Sequence, residues 1–436
     1  MLLNKTRTYH DPLHGAITLD GRDPVEALLI RLIDTPAFQR LRRIRQLGPA
    51  SFTFHGAESS RFTHSLGVMS VARQAFDRLS GIYAELQPYR AAVLVAALMH
   101  DVGHGPYSHT AEEVFGGHHE HWTQRILTED EAVRSHLDQF SSNLLTELKQ
   151  IYTHQHEFPI VWQLVSSQLD CDRLDYLMRD SYYTGASYGQ LDLERILLAM
   201  DYDGDSRQMV VNQKGQAAVE HYLVVRYLMY AQIYNHPKNL SATWMMERIF
   251  DRARALLAAG QLDADNVVTA WLTYPVNDLP LDQYLAGDDV VFTYHIQRWQ
   301  QHGDRTLADL CQRFTHRRLL KAADVTDHSP QTQAALLVEA QAQAYQQGLE
   351  GTCYSGLRRI QSRGYTLYQR GIKLITDQGT VEMGLRSPLV QTLTQPYQRT
   401  WLIYPPEVSL PSFAVDNSAH DSADSGADID VAEPVR

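Results

Sequence analysis

Ala97-Leu98-Met99-His100-Asp101-Val102-Gly103-His104-Gly105-Pro106 is the stretch on which the fold is read. The apolar run from Ala91 to Met99 has the length and composition of a buried helix. It is too short to span a bilayer, which takes about 20 residues. The run ends in an adjacent imidazole and carboxylate, and a glycine-rich break carries the chain on to His104 and His109. A buried helix end needs partners for its free carbonyls and for polar side chains. A metal ion is one partner that serves an imidazole and a carboxylate together.

Two further segments complete a ligand set. Arg61-Phe62-Thr63-His64-Ser65-Leu66-Gly67 opens a helix with a histidine. Gln168-Leu169-Asp170-Cys171-Asp172-Arg173-Leu174-Asp175-Tyr176 sets three acids on an otherwise apolar helix. Asp172 and Asp175 share a face by their spacing, as do Arg173 and Tyr176. Two imidazoles with two carboxylates make a mixed nitrogen and oxygen site, suited to Mn, Fe, Co, Ni or Zn rather than Ca. The spacing alone leaves open which of the three aspartates is the ligand.

Outward from these segments the periodicity is helical. Residues 1–20 read as an extended arm with a short strand near Ile17–Leu19. Apolar residues from Val25 to Leu47 read as two helices broken at Asp34-Thr35-Pro36, where Thr35 can cap and Pro36 suits a first turn. The second carries Arg40, Arg42, Arg43 and Arg45, which read as a solvated basic face or a polyanion contact. Helices follow at about 64–80, 91–101, 108–115, 119–128, 131–138, 141–152, 158–179 and 191–200. A hairpin is expected at Arg207–Ala217 around Lys214-Gly215, then helices at about 217–234 and 239–259. Weaker signals place helices near 280–286, 288–302, 304–313 and 329–348, and strands at Tyr365–Tyr368, Ile372–Thr376 and Trp401–Tyr404.

The chain has 436 residues, with 39 Lys+Arg against 51 Asp+Glu and a net charge of −12. This balance excludes a general nucleic-acid coat or a membrane-surface binder, so any polyanion must meet a local basic pocket. Three cysteines without a CxxC pair, Cys171, Cys311 and Cys353, argue against a disulfide scaffold or thiolate zinc site and fit a reducing compartment. With no apolar leader-like segment at the start, the expected setting is cytoplasmic. Residues 415–436 hold six carboxylates and one arginine among Ser, Ala and Gly, the composition of a disordered acidic tail.

DPLHG at 11–15, DTPAFQRLRRIRQLG at 34–48, RFTHSLGV, HDVGHGPYSH, the His119-Glu120 pair and LDCDRLDYLMRD occur in one order along residues 8–255. In that order they resemble the HD-domain superfamily of metal-dependent phosphohydrolases, and within it the deoxynucleoside triphosphate triphosphohydrolase branch. The resemblance implies a mostly α-helical HD fold over residues 1–255, with small β-hairpins. A smaller mixed α/β region would cover 256–407, a site of oligomerisation, followed by an acidic tail over 408–436. The sterile-alpha-motif domain of the branch's vertebrate member has no counterpart here.

By the same resemblance His64, His100, Asp101 and Asp172 hold one divalent transition metal, Mn, Fe, Ni, Co or Zn, with Mg as an additional ion. The family places its ligand second in D-x-D-[KR]-x-D-Y, which selects Asp172. The metal polarises the α-phosphate of a dNTP, and attack there expels triphosphate from the nucleoside. His109 is the implied acid, with Glu112 orienting it where the family usually has Asp, and His104 and His119 line the phosphate path. Arg61, Arg173 and Arg226 meet phosphate charge, Arg173 standing where the vertebrate enzyme has Lys. Tyr176 and Asp180 contact the sugar, Gln46 reads the 3′-hydroxyl, and Leu47 and Tyr234 hold the base. Asp34, Gln39 and Arg42 match positions that read a guanine nucleotide activator (GTP or a dNTP) between subunits of a homo-oligomer, dimer or tetramer. His10 replaces an Asn of that site, and Asp34 with Thr35 would equally serve as plain helix caps.

Two rivals remain. The metal core alone fits an HD hydrolase acting on a nucleoside monophosphate, a cyclic dinucleotide or an alarmone; Gln46, Arg61, Tyr176, Asp180 and Arg226 speak against it. A catalytically silent sensor of nucleotides or nucleic acid is supported by the Arg40–Arg45 helix and opposed by the full ligand set.

Overall fold

The computed structural model describes residues 5–366, 371–377 and 379–410. It is mostly helical, with three small sheets. The N-terminal arm is a hairpin: β1 (Thr6–Asp11) pairs antiparallel with β2 (Gly15–Asp20), Asp11 opposite Gly15. Asp23 caps α1 (Pro24–Ile33) by accepting from the Val25 and Glu26 amides. Thr35 caps α2 (Pro36–Gln39), as its position before a proline suggests. The expected long second helix stops there. Arg40–Arg43 tightens into a 3-10 turn and Ile44 is extended. The solvated-face reading fails at Arg40, which is 2% exposed.

The centre of the fold is α3 (Arg61–Ile82), α4 (Arg90–Met99) and α10 (Cys171–Thr184). Between α4 and α10 run α5 (His109–Phe115), α6 (His119–Glu129), α7 (Glu131–Phe140), α8 (Leu144–Tyr152) and α9 (Pro159–Gln163). Ala92 through Met99 is entirely buried. Each large aliphatic side chain there contributes about 1.5–3 kcal/mol by leaving water. Gly67 lets α10 approach α3: a Cβ on it would lie 2.0 Å from Asp175 Oδ1 and 2.4 Å from Arg179 Nη2.

The helix expected over 158–179 is two helices. Ser167 and Asp170 intervene, and Asp170 caps α10 by accepting from the Ser167 amide at 2.6 Å and the Arg173 amide at 2.7 Å. Short polar side chains that bind local amides favour such breaks over helix interiors. The restart puts Asp172 in the first turn of α10.

After α11 (Leu193–Ala199) the hairpin lies earlier than expected. β3 (Met200–Asp203) pairs with β4 (Gln208–Asn212), and Lys214-Gly215 sits in a 3-10 turn capped by Asn212. The turn signal was Asp203-Gly204-Asp205. α12 (Gln216–Met229) widens into a π turn at Tyr230–Tyr234 before α13 (Pro237–Ala258). Then come α14 (Asn266–Thr273), absent from the sequence reading, α15 (Leu281–Ala286), α16 (Asp289–Trp299) and α17 (Arg305–Thr315).

The remainder is mixed. β5 (Lys321–Asp324), β9 (Pro396–Tyr404) and β6 (Gly356–Arg363) form an antiparallel sheet with β9 central. β7 (Lys373–Thr376) joins β4 in parallel and β8 (Gly379–Glu382) antiparallel. Helix α18 (Pro330–Gln346) covers the first of these sheets. The strand expected at Tyr365–Tyr368 is displaced to β6; residues 367 and 368 lie outside the described residues, as does the acidic tail from 411 onward. Two large apolar clusters hold the fold, one around α3, α4 and α10 and one around α13, α14, α16 and α17. Tyr365 and Leu374 belong to the first of them.

Candidate active site

Three elements bring the expected metal donors close together. His64 comes from the first turn of α3, His100 and Asp101 from the end of α4, Asp172 from the first turn of α10. Nε2 of His64 lies 3.0 Å from Asp172 Oδ1 and 3.4 Å from Asp101 Oδ2. Nε2 of His100 lies 3.2 Å from Asp101 Oδ1 and 3.5 Å from Asp172 Oδ1, and makes no hydrogen bond. Ligands about 2.1 Å from one first-row ion stand about 3.0–3.4 Å apart; His64, His100 and Asp101 offer ligand atoms within 4.8 Å of one another and could hold one ion, with Asp172 against both imidazoles.

Both imidazoles are oriented from behind. His100 Nδ1 donates to the Ala97 carbonyl at 2.8 Å, which leaves Nε2 as the lone-pair nitrogen. His64 Nδ1 is 2.7 Å from Asp175 Oδ2. Asp175 is held in turn by Arg179 at 2.8 and 2.9 Å and by His14 Nε2 at 2.6 Å, and Arg179 reaches Asp11 at 2.8 Å. Asp11 and His14 belong to the DPLHG segment, so that segment buttresses the site from the hairpin. Burial works against charge on His64, yet Asp172 and Asp175 overcome it and carry the imidazole up to about 10. Burial likewise opposes charge on Asp172, and the two histidines hold its carboxyl far below the ordinary range. This is a carboxylate-rich cluster that draws a cation. Asp170 differs: burial pushes it up to about 6, and its oxygens are spent on capping.

A second cluster lies beside the first. Glu112 bridges His109 Nδ1 at 3.0 Å and His119 Nδ1 at 2.6 Å, and accepts the His119 amide at 2.8 Å. Burial opposes its charge, and the two imidazoles hold its carboxyl far down. His104 stacks on His119, centroids 3.9 Å apart, and points Nε2 to within 3.3 Å of Asp101 Oδ1. Gly103 makes this packing possible, since a Cβ there would lie 2.2 Å from the His119 carbonyl oxygen and the Thr123 amide.

Both clusters border a cavity of about 560 Å³. Its wall includes Gln46, Leu47, Arg61, Arg173, Tyr176, Asp180 and Tyr234 of the expected substrate set. Arg61 pairs with Asp101 and donates through Nε to Ser108 Oγ at 2.8 Å. Tyr234 donates to Asp180 Oδ2 at 2.9 Å, and burial pushes that carboxyl up to about 7. Gln46 Oε1 and Asp180 Oδ1 are buried without a hydrogen-bond partner. Arg226 lies off the wall, with Nη1 on Gln168 Oε1 at 2.9 Å. Asp34, Gln39 and Arg42 lie away from the cavity. Asp34 pairs with Arg7 at 2.5 Å, and Arg42 bonds Gln39 and covers the Phe62 ring.

Residues 61–180 match the HD domain, and residues 191–270 match the HD associated region. The protein YwfO of Bacillus subtilis, described as uncharacterized, is 34% identical over 93% of each chain. The chain belongs to the HD-domain family. His64, His100, Asp101 and Asp172 all lie within the matched HD domain. A phosphohydrolase from Bacteroides thetaiotaomicron superposes with a TM-score of 0.79 at 27% identity, covering 92% of this chain and all of that one. A deoxynucleoside triphosphate triphosphohydrolase SAMHD1 homolog from Dictyostelium discoideum is 30% identical over 58% of this chain and half of its own length.

Of the three acids in the 170–175 segment, Asp175 lies behind His64 and is held by Arg179. Arg179 carries no signal beyond a base on an apolar helix face. Arg358 and Ile360, on β6, reach the cavity from the far end of the chain. Arg358 bridges Glu113 and Glu247 there, a contact between remote segments that no local pattern announces. Among the described residues no helix is long and apolar enough to cross a membrane.

Proposed function

We propose that this protein hydrolyses deoxynucleoside triphosphates to deoxynucleoside and inorganic triphosphate. The observation that supports the reading is the shared cavity: His100, Asp101 and Asp172 of the donor cluster and Gln46, Arg61, Arg173, Tyr176, Asp180 and Tyr234 border one space large enough for a nucleotide. The SAMHD1 homolog's name points the same way. His64, His100, Asp101 and Asp172 would hold the metal, which when bound supplies Lewis acidity toward a phosphoryl oxygen.

The chain's own groups do the rest. Arg61 and Arg173 place positive charge where the transition state gathers negative charge. His109, oriented by Glu112, gives a proton to the departing 5′ oxygen. His104 and His119 line the path of the phosphates. The Tyr176 ring lies against C2′ and leaves an added hydroxyl crowded and unpaired, which selects the deoxy sugar. Asp180 and Gln46 have spare acceptor oxygens for the sugar hydroxyl. Leu47 and Tyr234 hold the base without reading it. Arg226 acts through Gln168 rather than at the cavity surface. Activation by a second nucleotide at Asp34, Gln39 and Arg42, within a homo-oligomer, belongs to the same proposal.

The test is product analysis by anion exchange, with each dNTP and NTP alone and in mixtures, with Mn or Mg. Deoxynucleoside and intact triphosphate from dNTPs, with NTPs spared, is expected. Turnover seen only in mixtures would support the activator. No turnover in any mixture by metal-loaded protein would overturn the reading in favour of another HD hydrolase.

A further inference from the structure

The turn that leads into α5 is strained. Tyr107 and Ser108, neither of them glycine, have φ of 58° and 61°. Residues with side chains occupy that half of backbone space at a cost, and keep it only where surrounding contacts impose it. The turn carries His104 on one side and His109 on the other, and Ser108 Oγ accepts from Arg61, the partner of Asp101. Its geometry therefore sets two imidazoles and one arginine of the site.

The contacts that impose it come from a distant part of the chain. Asp289 Oδ1 accepts the Tyr107 amide at 2.6 Å, and Asp289 Oδ2 accepts the Arg45 amide at 3.0 Å. One buried carboxylate thus ties the strained turn to the 40–45 segment. Ser108 Oγ closes the same link by donating to the Arg45 carbonyl. Arg40 adds a parallel tie, donating to the His104 carbonyl at 2.8 Å and to the Gly287 carbonyl at 3.0 and 2.8 Å. Asp288, the neighbouring residue, instead caps α16 through Val290 and Val291 and pairs with Arg43 at 2.5 Å. Residues 287–289 lie beyond both matched family regions, which end at 270.

We propose that Asp289 is a positioning residue, which holds the Tyr107–Ser108 turn in its strained form and thereby aligns His104, His109 and Arg61 with the metal-binding cluster. It acts through the backbone of residues 45 and 107 and touches no ligand. The catalytic consequence rests on the dNTP hydrolysis reading; the structural consequence does not.

The experiment compares Asp289→Asn with Asp288→Asn in the full chain. An asparagine side chain presents one acceptor and one donor, so it cannot receive both amides. Peptide-level hydrogen exchange is read first. Asp289→Asn is expected to speed exchange over residues 103–110 at least tenfold, and Asp288→Asn to leave that segment as in the wild type. In dNTP turnover Asp289→Asn is expected to lower kcat tenfold or more with KM within twofold and metal content unchanged, and Asp288→Asn to leave both constants within twofold. Unchanged exchange over 103–110 in a folded Asp289→Asn protein overturns the proposal. So does a kcat loss that merely tracks lost metal or lost folded protein. If Asp289→Asn does not fold, Ser108→Ala tests the same turn: faster exchange over 103–110 with a selective kcat loss supports the proposal, and unchanged exchange overturns it. If the wild type hydrolyses no dNTP, the functional reading fails while the exchange comparison still decides the positioning role.

Discussion

Asp175 reaches His64 from the ring edge opposite Asp101 and Asp172, Oδ2 to Nδ1 at 2.7 Å, and so fixes which nitrogen faces those two carboxylates. A carboxylate behind a ligating imidazole orients the ring and raises its basicity, and removing such a partner typically weakens metal binding about 10–100-fold. Asp175→Asn is expected to show that loss by metal titration into apo protein. Arg179 is fully buried and would keep only Asp11 as an anionic partner, so stability should also fall by about 3 kcal/mol. Asp11→Asn provides the comparison, because it disturbs Arg179 without touching His64. Equal metal affinity in the two variants would show that Asp175 matters to packing alone.

Asp170 and Asp172 are two residues apart and do different work. Asp170 caps α10, whereas Asp172 faces both Nε2 atoms. Asp170→Ala should lower stability by about 1 kcal/mol, as lost caps do, and retain metal. Asp172→Ala should lose metal and more than 99% of turnover while folding normally. A metal present at 100 times its Kd stabilises a protein by about 2.7 kcal/mol. Chelator should therefore lower the melting temperature of the wild type and of Asp170→Ala, and leave Asp172→Ala unmoved. Metal retained by Asp172→Ala would reassign the ligand.

The parts of this molecule that were legible in the sequence are those whose signal is local. The buried run at 91–99, the capping Thr35 and the HDVGHG break each carry their chemistry in adjacent residues. The helix break at 164–170 has no such local mark, because the capping by Asp170 shows only in its hydrogen bonds. Arg40 looked like one more surface base among four; its burial depends on two carbonyls, one 64 and one 247 residues away in sequence. Asp289 and Arg358 were illegible for the same reason. Each acts on the site through the fold, and neither has a spacing that announces it.

Gly67 and Gly81 lie on one helix and should respond oppositely to alanine. At Gly67 a methyl group would fall 2.0 Å from Asp175 Oδ1, between two groups that are locked in a buried ion pair. Gly67→Ala should force α3 and α10 apart, costing at least about 3 kcal/mol by overpacking and weakening the Asp175 contact to His64. At Gly81 nothing lies within 4 Å. Gly81→Ala should be neutral or add up to about 1 kcal/mol, because alanine restricts the unfolded chain and favours helix. Thermal denaturation of both variants measures the contrast, and a well-folded Gly67→Ala at wild-type stability would contradict the close approach of the two helices.

Asp180 links the cavity to pH. Burial raises its carboxyl to about 7, against the opposing hydrogen bond from Tyr234. The native state therefore keeps a proton between about pH 4 and pH 7 that the unfolded chain has released. Stability from this group is full below about pH 4, declines as pH rises through that window and levels off above pH 7. From pH 5 to pH 8 the loss amounts to about 2–3 kcal/mol. Asparagine is neutral at every pH, so the melting temperature of Asp180→Asn minus that of the wild type should rise by several degrees from pH 5 to pH 8, measured on apo protein in chelator. A difference independent of pH would mean that Asp180 is ionised throughout the range and faces the cavity as a carboxylate rather than as an acid.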